Sequence, residues 1–138
     1  YCSQVTDVSA LGRCAALHTL KLSDCGRVTD VSALAGCATL HTLTLTKCPV
    51  TDVSALAACA TLHTLDLSWC LGPTDVSPLA TCAKLHKLEL MGTNVKDVSA
   101  LAGCARLHTL GLHAAKLTDV SGLAGCAKLR GLRDAAHA

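Results

Sequence analysis

"VTDVSALAGCATLHTLTLTKC" (residues 28–48) is one copy of a unit that the chain writes six times. The aspartates of its T-D-V-S segment stand at Asp7, Asp30, Asp52, Asp75, Asp97 and Asp119, so units succeed one another every 22 or 23 residues, with Lys96 once replacing the threonine. A fixed period of this kind marks stacked supersecondary units, and it is too short for helical repeats of about 33 to 34 residues. The apolar positions Leu17, Leu20, Leu22, Cys25, Val28, Val31, Leu34, Cys37 and Leu40 advance by three, apart from one step of two at Leu20-Lys21-Leu22. Neither a helix nor a long strand has that period. The step of two marks a short strand whose alternate side chains point inward, and the steps of three trace a coil turning about one axis, its strands stacked in parallel about 4.8 Å apart.

The segment Leu17-x-x-Leu20-x-Leu22-x-x-Cys25 resembles the leucine-rich repeat signature L-x-x-L-x-L-x-x-N/C, and the resemblance covers nearly the whole chain. The stretch "TDVSPLATCAKL" (74–85) is similar to the 22-residue subclass of bacterial internalins and large protist leucine-rich repeat proteins. That resemblance implies an α/β solenoid, a right-handed superhelix with a parallel β-sheet on its concave face and short 3₁₀ or helical turns on its convex face. It also implies recognition of partners through the concave sheet. The expectation is a single domain over residues 1–138 of about six repeats, as part of a longer chain. "YCSQV" starts inside a repeat, and "LRGLRDAAHA" fades, with Arg130 in the histidine place and Arg133 breaking the strand pattern, whereas a solenoid needs polar capping units.

Composition narrows the function classes. The chain is 51% hydrophobic with a net charge of +2, a globular balance, and no stretch approaches the roughly 18 uninterrupted apolar residues of a membrane span. Residues 80–138 hold eight basic and four acidic side chains, against four and six in residues 1–79, and Lys84, Arg106 and Lys128 form one stripe. Nucleic acid is nevertheless a weaker fit than an acidic protein partner, because one Trp, one Tyr and no Phe leave nothing on which bases could stack.

Three polar columns need a reading. Aspartate before Val-Ser-Ala accepts a backbone N–H at the start of a turn, which favours capping over calcium binding, since no EF-hand-like loop is present. Cys2, Cys25, Cys48 and Cys70 occupy the asparagine-or-cysteine place of the signature, with Thr93 and Ala115 standing there later. Cys14, Cys37, Cys59, Cys82, Cys104 and Cys126 form a second column, three residues before the first strand leucine. Both columns are expected to face the core as free thiols, because parallel side chains on stacked coils rarely reach disulfide dihedrals; that favours a reducing, cytoplasmic compartment. His18, His41, His63, His86 and His108 are expected to face outward and stack edge to edge, with no metal ligated. Their protonation below about pH 6 is expected to loosen the array.

No cofactor is expected, and no catalytic constellation stands out, because every Ser, His and Asp recurs at a repeat-fixed place. Function is therefore sought among the side chains between the strand leucines. Lys21, Asp24, Lys47, Asp66, Trp69, Lys87, Glu89, Met91 and His113 are the candidate partner-binding residues. Trp69 is either an interface anchor, as tryptophan often is, or an indole shielding the neighbouring coil. The reading is a non-enzymatic protein-recognition or scaffold module. The alternative is a structural or regulatory segment of a larger protein, beside a module such as a cyclase or ubiquitin ligase, with no ligand of its own.

Overall fold

The computed structural model describes residues 4–73, 75–126 and 128–133, the last three by backbone. Cys2, Thr74 and the tail from Asp134 lie outside the described residues. Six strands, β1 (Thr19–Lys21), β2 (Thr42–Thr44), β3 (Thr64–Asp66), β4 (Lys87–Glu89), β5 (Thr109–Gly111) and β6 (Gly131–Arg133), form one parallel sheet in chain order. A five-residue 3₁₀ turn precedes each strand: Ser9–Arg13, Ser32–Gly36, Ser54–Ala58, Ser77–Thr81, Ser99–Gly103 and Ser121–Gly125. The expected solenoid is the fold observed. Among the described residues no helix is long and apolar enough to cross a membrane.

Register follows the repeat. Leu20, Leu43, Leu65, Leu88, Leu110 and Leu132 stand opposite one another across the sheet, so each coil adds the same leucines to one continuous core. Leu43, Leu65, Leu88 and Leu110 are fully buried, as are Val53's neighbours Leu56 and Leu62. Leu20 in the first strand is only partly buried, because only one coil packs against it. Arg133 does not interrupt the strand: it pairs with Gly111, the outward-facing place that Lys21, Thr44, Asp66 and Glu89 hold in earlier strands.

The aspartates cap as expected, one residue earlier than a formal N-cap. The residue before each 3₁₀ turn is a valine, and the carboxylate two residues before the turn's serine accepts that serine's N–H. Ser32 N to Asp30 Oδ1 is 2.8 Å, and the contact recurs from Asp7 to Asp119. Those backbone bonds hold the Asp7, Asp30, Asp75 and Asp119 carboxyls below their ordinary value.

Both cysteine columns enter the core, and Cys37, Cys48, Cys59, Cys70, Cys82, Cys104 and Cys126 are buried free thiols. They also do something that periodicity alone does not show: they donate to carbonyls of the preceding coil. Cys48 Sγ lies 2.7 Å from Leu22 O and Cys70 Sγ 2.8 Å from Leu45 O. In the second column Cys59, Cys82 and Cys104 reach Leu34, Leu56 and Leu79 O, each at 3.5 Å. Cys14 departs from the expectation: it is exposed. Burial pushes the Cys59, Cys70 and Cys104 thiols up to about 11, which leaves little thiolate to react. Under native conditions near neutral pH a thiol reagent should therefore modify Cys14 quickly and the eight buried cysteines only on unfolding; rapid native labelling of Cys70, located by peptide mapping, would contradict this packing.

Candidate partner-binding surface

The outward positions of the strands form a shallow sheet floor, and the residues just past each strand form its rim. Five rim residues, Asp24, Lys47, Trp69, Gly92 and Ala114, share a left-handed backbone with φ between 59° and 68°. Four of these are not glycine, although such a conformation is unfavourable for any side chain with a Cβ by about 1–2 kcal/mol. The ladder imposes it. Asp24 N donates to Thr46 O, Lys47 N to Ser68 O, Trp69 N to Met91 O and Gly92 N to His113 O, at 2.7–2.9 Å, so the chain must bend there to keep pairing with the next coil as it leaves the strand.

That bend decides what Trp69 does. Its indole lies across Gly92 of the following coil, where a Cβ would overlap the ring carbons Cε3, Cζ3 and Cδ2. The shielding role is thus present, yet the residue remains 44% exposed. Its free side borders an apolar groove of about 470 Å³ with Lys47, Pro49, Leu71 and Gly72. Leu71 is 62% exposed and escaped the sequence reading. Its signal was there: it holds the place taken by Gly26, Pro49, Asn94 and Lys116 in the other coils.

The remaining candidates divide. Lys21, Lys47, Lys87 and His113 are exposed, and Asp24, Asp66 and Met91 are half-buried. Asp24 and Lys47 pair loosely across the rim at 3.9 Å, an exposed contact of small energetic weight. Asp66 Oδ1 accepts Ser68 N at 2.9 Å, so it also shapes the strand exit. Glu89 differs from the other candidates: it is 3% exposed, with the half-exposed Lys87 ammonium 3.7 Å from Oε1.

The histidine column faces outward, but not edge to edge. The rings of His18, His41, His63, His86 and His108 stack face to face, with centroids 4.6–5.0 Å apart and planes within 2–10°. Stacked coils repeat one rotamer, and the Thr42 and Thr64 hydroxyls, each 3.0 Å from the adjacent Nδ1, hold the ring planes. Among the described residues no cluster of three or more metal-ligating side chains could hold an ion. Burial, then the His41 and His86 rings, lower the His63 pKa. The neutral ring is thus favoured on folding, so its contribution is complete above the ordinary histidine value of about 6.5 and lost as pH falls through the depressed folded value. The unfolding midpoint should be lower at pH 5.5 than at pH 7.5, and equal midpoints would exclude the effect.

The comparisons agree with this geometry. A leucine-rich repeat family profile matches residues 58–80. The internalin inlF from Listeria monocytogenes is 31% identical with a TM-score of 0.88 over 92% of this chain. The internalin C2 (inlC2) of the same organism is 30% identical with a TM-score of 0.87 over 94%. The chain spans only 37% and 57% of those two proteins. The plant peptide hormone receptor RGFR1, solved in complex with RGF2, has a TM-score of 0.70 at 13% identity over 94% of this chain and 26% of its own, a likeness of fold. No curated protein matches the sequence significantly. Period, register and likeness make the chain a leucine-rich repeat protein, structurally close to the Listeria internalins.

Proposed function

We propose that the chain is a non-enzymatic protein-recognition module that binds through its sheet face and the rim beside it. Leucine-rich repeats generally mediate protein binding, and the repeat fold is typically non-catalytic. One observation carries the finer reading: the sole tryptophan is held in a strained conformation, 44% exposed beside Leu71, over an apolar groove. A rigid aromatic that already rests on Gly92 loses little side-chain freedom when a partner covers its other face. Lys21, Lys47, Lys87, Asp24, Asp66, Met91 and His113 are the further polar or adaptable contacts of this reading, and Lys47 lines the same groove as Trp69. The free buried thiols support a reducing, cytoplasmic setting.

Capture of a partner, identified by mass spectrometry, should weaken at least tenfold for Trp69→Ala, the usual size of a hot-spot loss of 2 kcal/mol or more. It should weaken further for Trp69→Ala with Leu71→Ser. Undiminished affinity of that double variant would sink the rim site, and loss with Lys21→Ala alone would move the contact onto the sheet floor.

A further inference from the structure

A second surface lies at the opposite end of the strands, where the chain enters them. There His41, Thr61, His63, Lys84, His86 and Arg106 line a groove of about 230 Å³. We propose that this groove binds a tetrahedral oxyanion, a phosphate group above all, and takes up protons on its imidazoles as it does so.

One column stands two residues before each histidine. In the second and third coils it is Thr39 and Thr61, whose hydroxyls donate to carbonyls of the preceding coil: Thr39 to Ala15 and Leu17, Thr61 to Ala38 and Leu40. From the fourth coil onward it is Lys84, Arg106 and Lys128, all exposed. The next column, of histidines, likewise ends in Arg130, whose N–H donates to His108 O. Fixed positive charge therefore accumulates along one edge of the solenoid while its other functional edge stays apolar.

Among the described residues the ion pairs are Lys47–Asp24 and Lys87–Glu89, and Lys84 and Arg106 enter neither. No carboxylate lines the groove. The acidic residues of the same coils stand elsewhere: Asp66 and Glu89 three residues beyond the histidines, and Asp52, Asp75 and Asp97 before the 3₁₀ turns. Lys87, which follows His86, is the remaining nearby charge, and its ammonium is turned to Glu89.

The donors suit a tetrahedral anion. Arg106 offers a planar fork and Lys84 a point charge. The His41 and His63 imidazoles can each present Nε2–H, because Nδ1 has the neighbouring threonine hydroxyl as partner, 3.0 Å away in both; His86 is followed by Lys87 instead. A carboxylate would be served by Arg106 alone; a phosphate monoester, carrying about −1.5 to −2 charge and three strong acceptor oxygens, uses both cations and a ring. Burial, then the neighbouring His41 and His86 rings, disfavour protonation of His63 in the protein alone. A bound dianion reverses that balance, so by linkage its affinity rises as pH falls.

Sulfate is the first probe, since its charge does not change over the relevant pH range. Imidazole titrations followed by NMR, in sulfate and in chloride at equal ionic strength, should show the His63 resonance titrating at higher pH in sulfate. Sulfate affinity should rise by up to about tenfold for each pH unit per proton taken up. Lys84→Ala and Arg106→Ala are exposed changes that leave the core alone, and each should weaken binding by about tenfold. His63→Asn should flatten the pH dependence without removing binding. A peptide bearing one phosphoserine and its unphosphorylated twin then separate the sources. Binding of sulfate and phosphopeptide assigns the site to the phosphate group itself; binding of the phosphopeptide alone assigns it to a phosphorylated partner. Binding of neither, equal binding of both peptides, or sulfate affinity indifferent to Arg106→Ala overturns the proposal.

Discussion

Leu65→Ala should destabilise the protein by about 3–5 kcal/mol, the range measured when a fully buried leucine is cut back and the cavity only partly closes. Leu65 is 0% exposed in β3, in register between Leu43 and Leu88. The position matters as much as the burial. In a solenoid each coil touches only its neighbours, so a defect in the third of six strands weakens the interfaces on both sides. Urea unfolding followed by circular dichroism should show a lower midpoint and a reduced m-value, as the two halves cease to unfold together. The same change at Leu20, which is only partly buried, should have roughly half the effect. A loss below about 1 kcal/mol at Leu65 would mean that the strand leucines do not carry the core.

Gly92→Ala should come next, at about 2–4 kcal/mol, far more than an alanine usually costs on a surface rim. Two effects add. The left-handed backbone, φ 68°, disfavours a Cβ by about 1–2 kcal/mol, and that Cβ would occupy space held by the Trp69 ring. A double-mutant cycle separates them, since in a Trp69→Ala background only the backbone part, about 1–2 kcal/mol, should remain. Because Trp69 is the sole tryptophan, its fluorescence should shift to the red in Gly92→Ala as the indole leaves its seat. Additive effects with unchanged fluorescence would show that the indole does not rest on Gly92. Ala114→Gly tests the converse, because it relieves the same strain where no ring intervenes. It should raise the unfolding midpoint slightly, the gain being reduced by the greater freedom of glycine in the unfolded chain.

The repeat places both surfaces. Apolar contact is concentrated on the rim after the strands, around Trp69 and Leu71, and positive charge on the edge before them, around Lys84 and Arg106. Partner binding on the rim and oxyanion binding on the opposite edge are separable by mutation, since they share no lining residue.

By itself the sequence determined everything that depends on periodicity. Each coil must bury the same side chains, so the steps of three and two named the strand leucines, the inward valines and both thiol columns, and the aspartates announced their turns through local bonding. The histidine column was equally plain, though not the face of the ring that meets its neighbour. Only the tertiary structure decided what depends on contacts between residues some 22 or 23 positions apart. The left-handed rim has no residue-type signature, since Asp24, Lys47, Trp69 and Ala114 adopt it alike; it arises because each N–H must meet a carbonyl of the next coil. The same cause seats Trp69 on Gly92 and aims the Cys48 and Cys70 thiols at carbonyls of the coil before. Likewise alternation places Glu89 on the outward side of its strand, and only the stack shows it 3% exposed beside the Lys87 ammonium. Burial period is a one-dimensional property of the chain; strain, shielding and charge pairing belong to the stack.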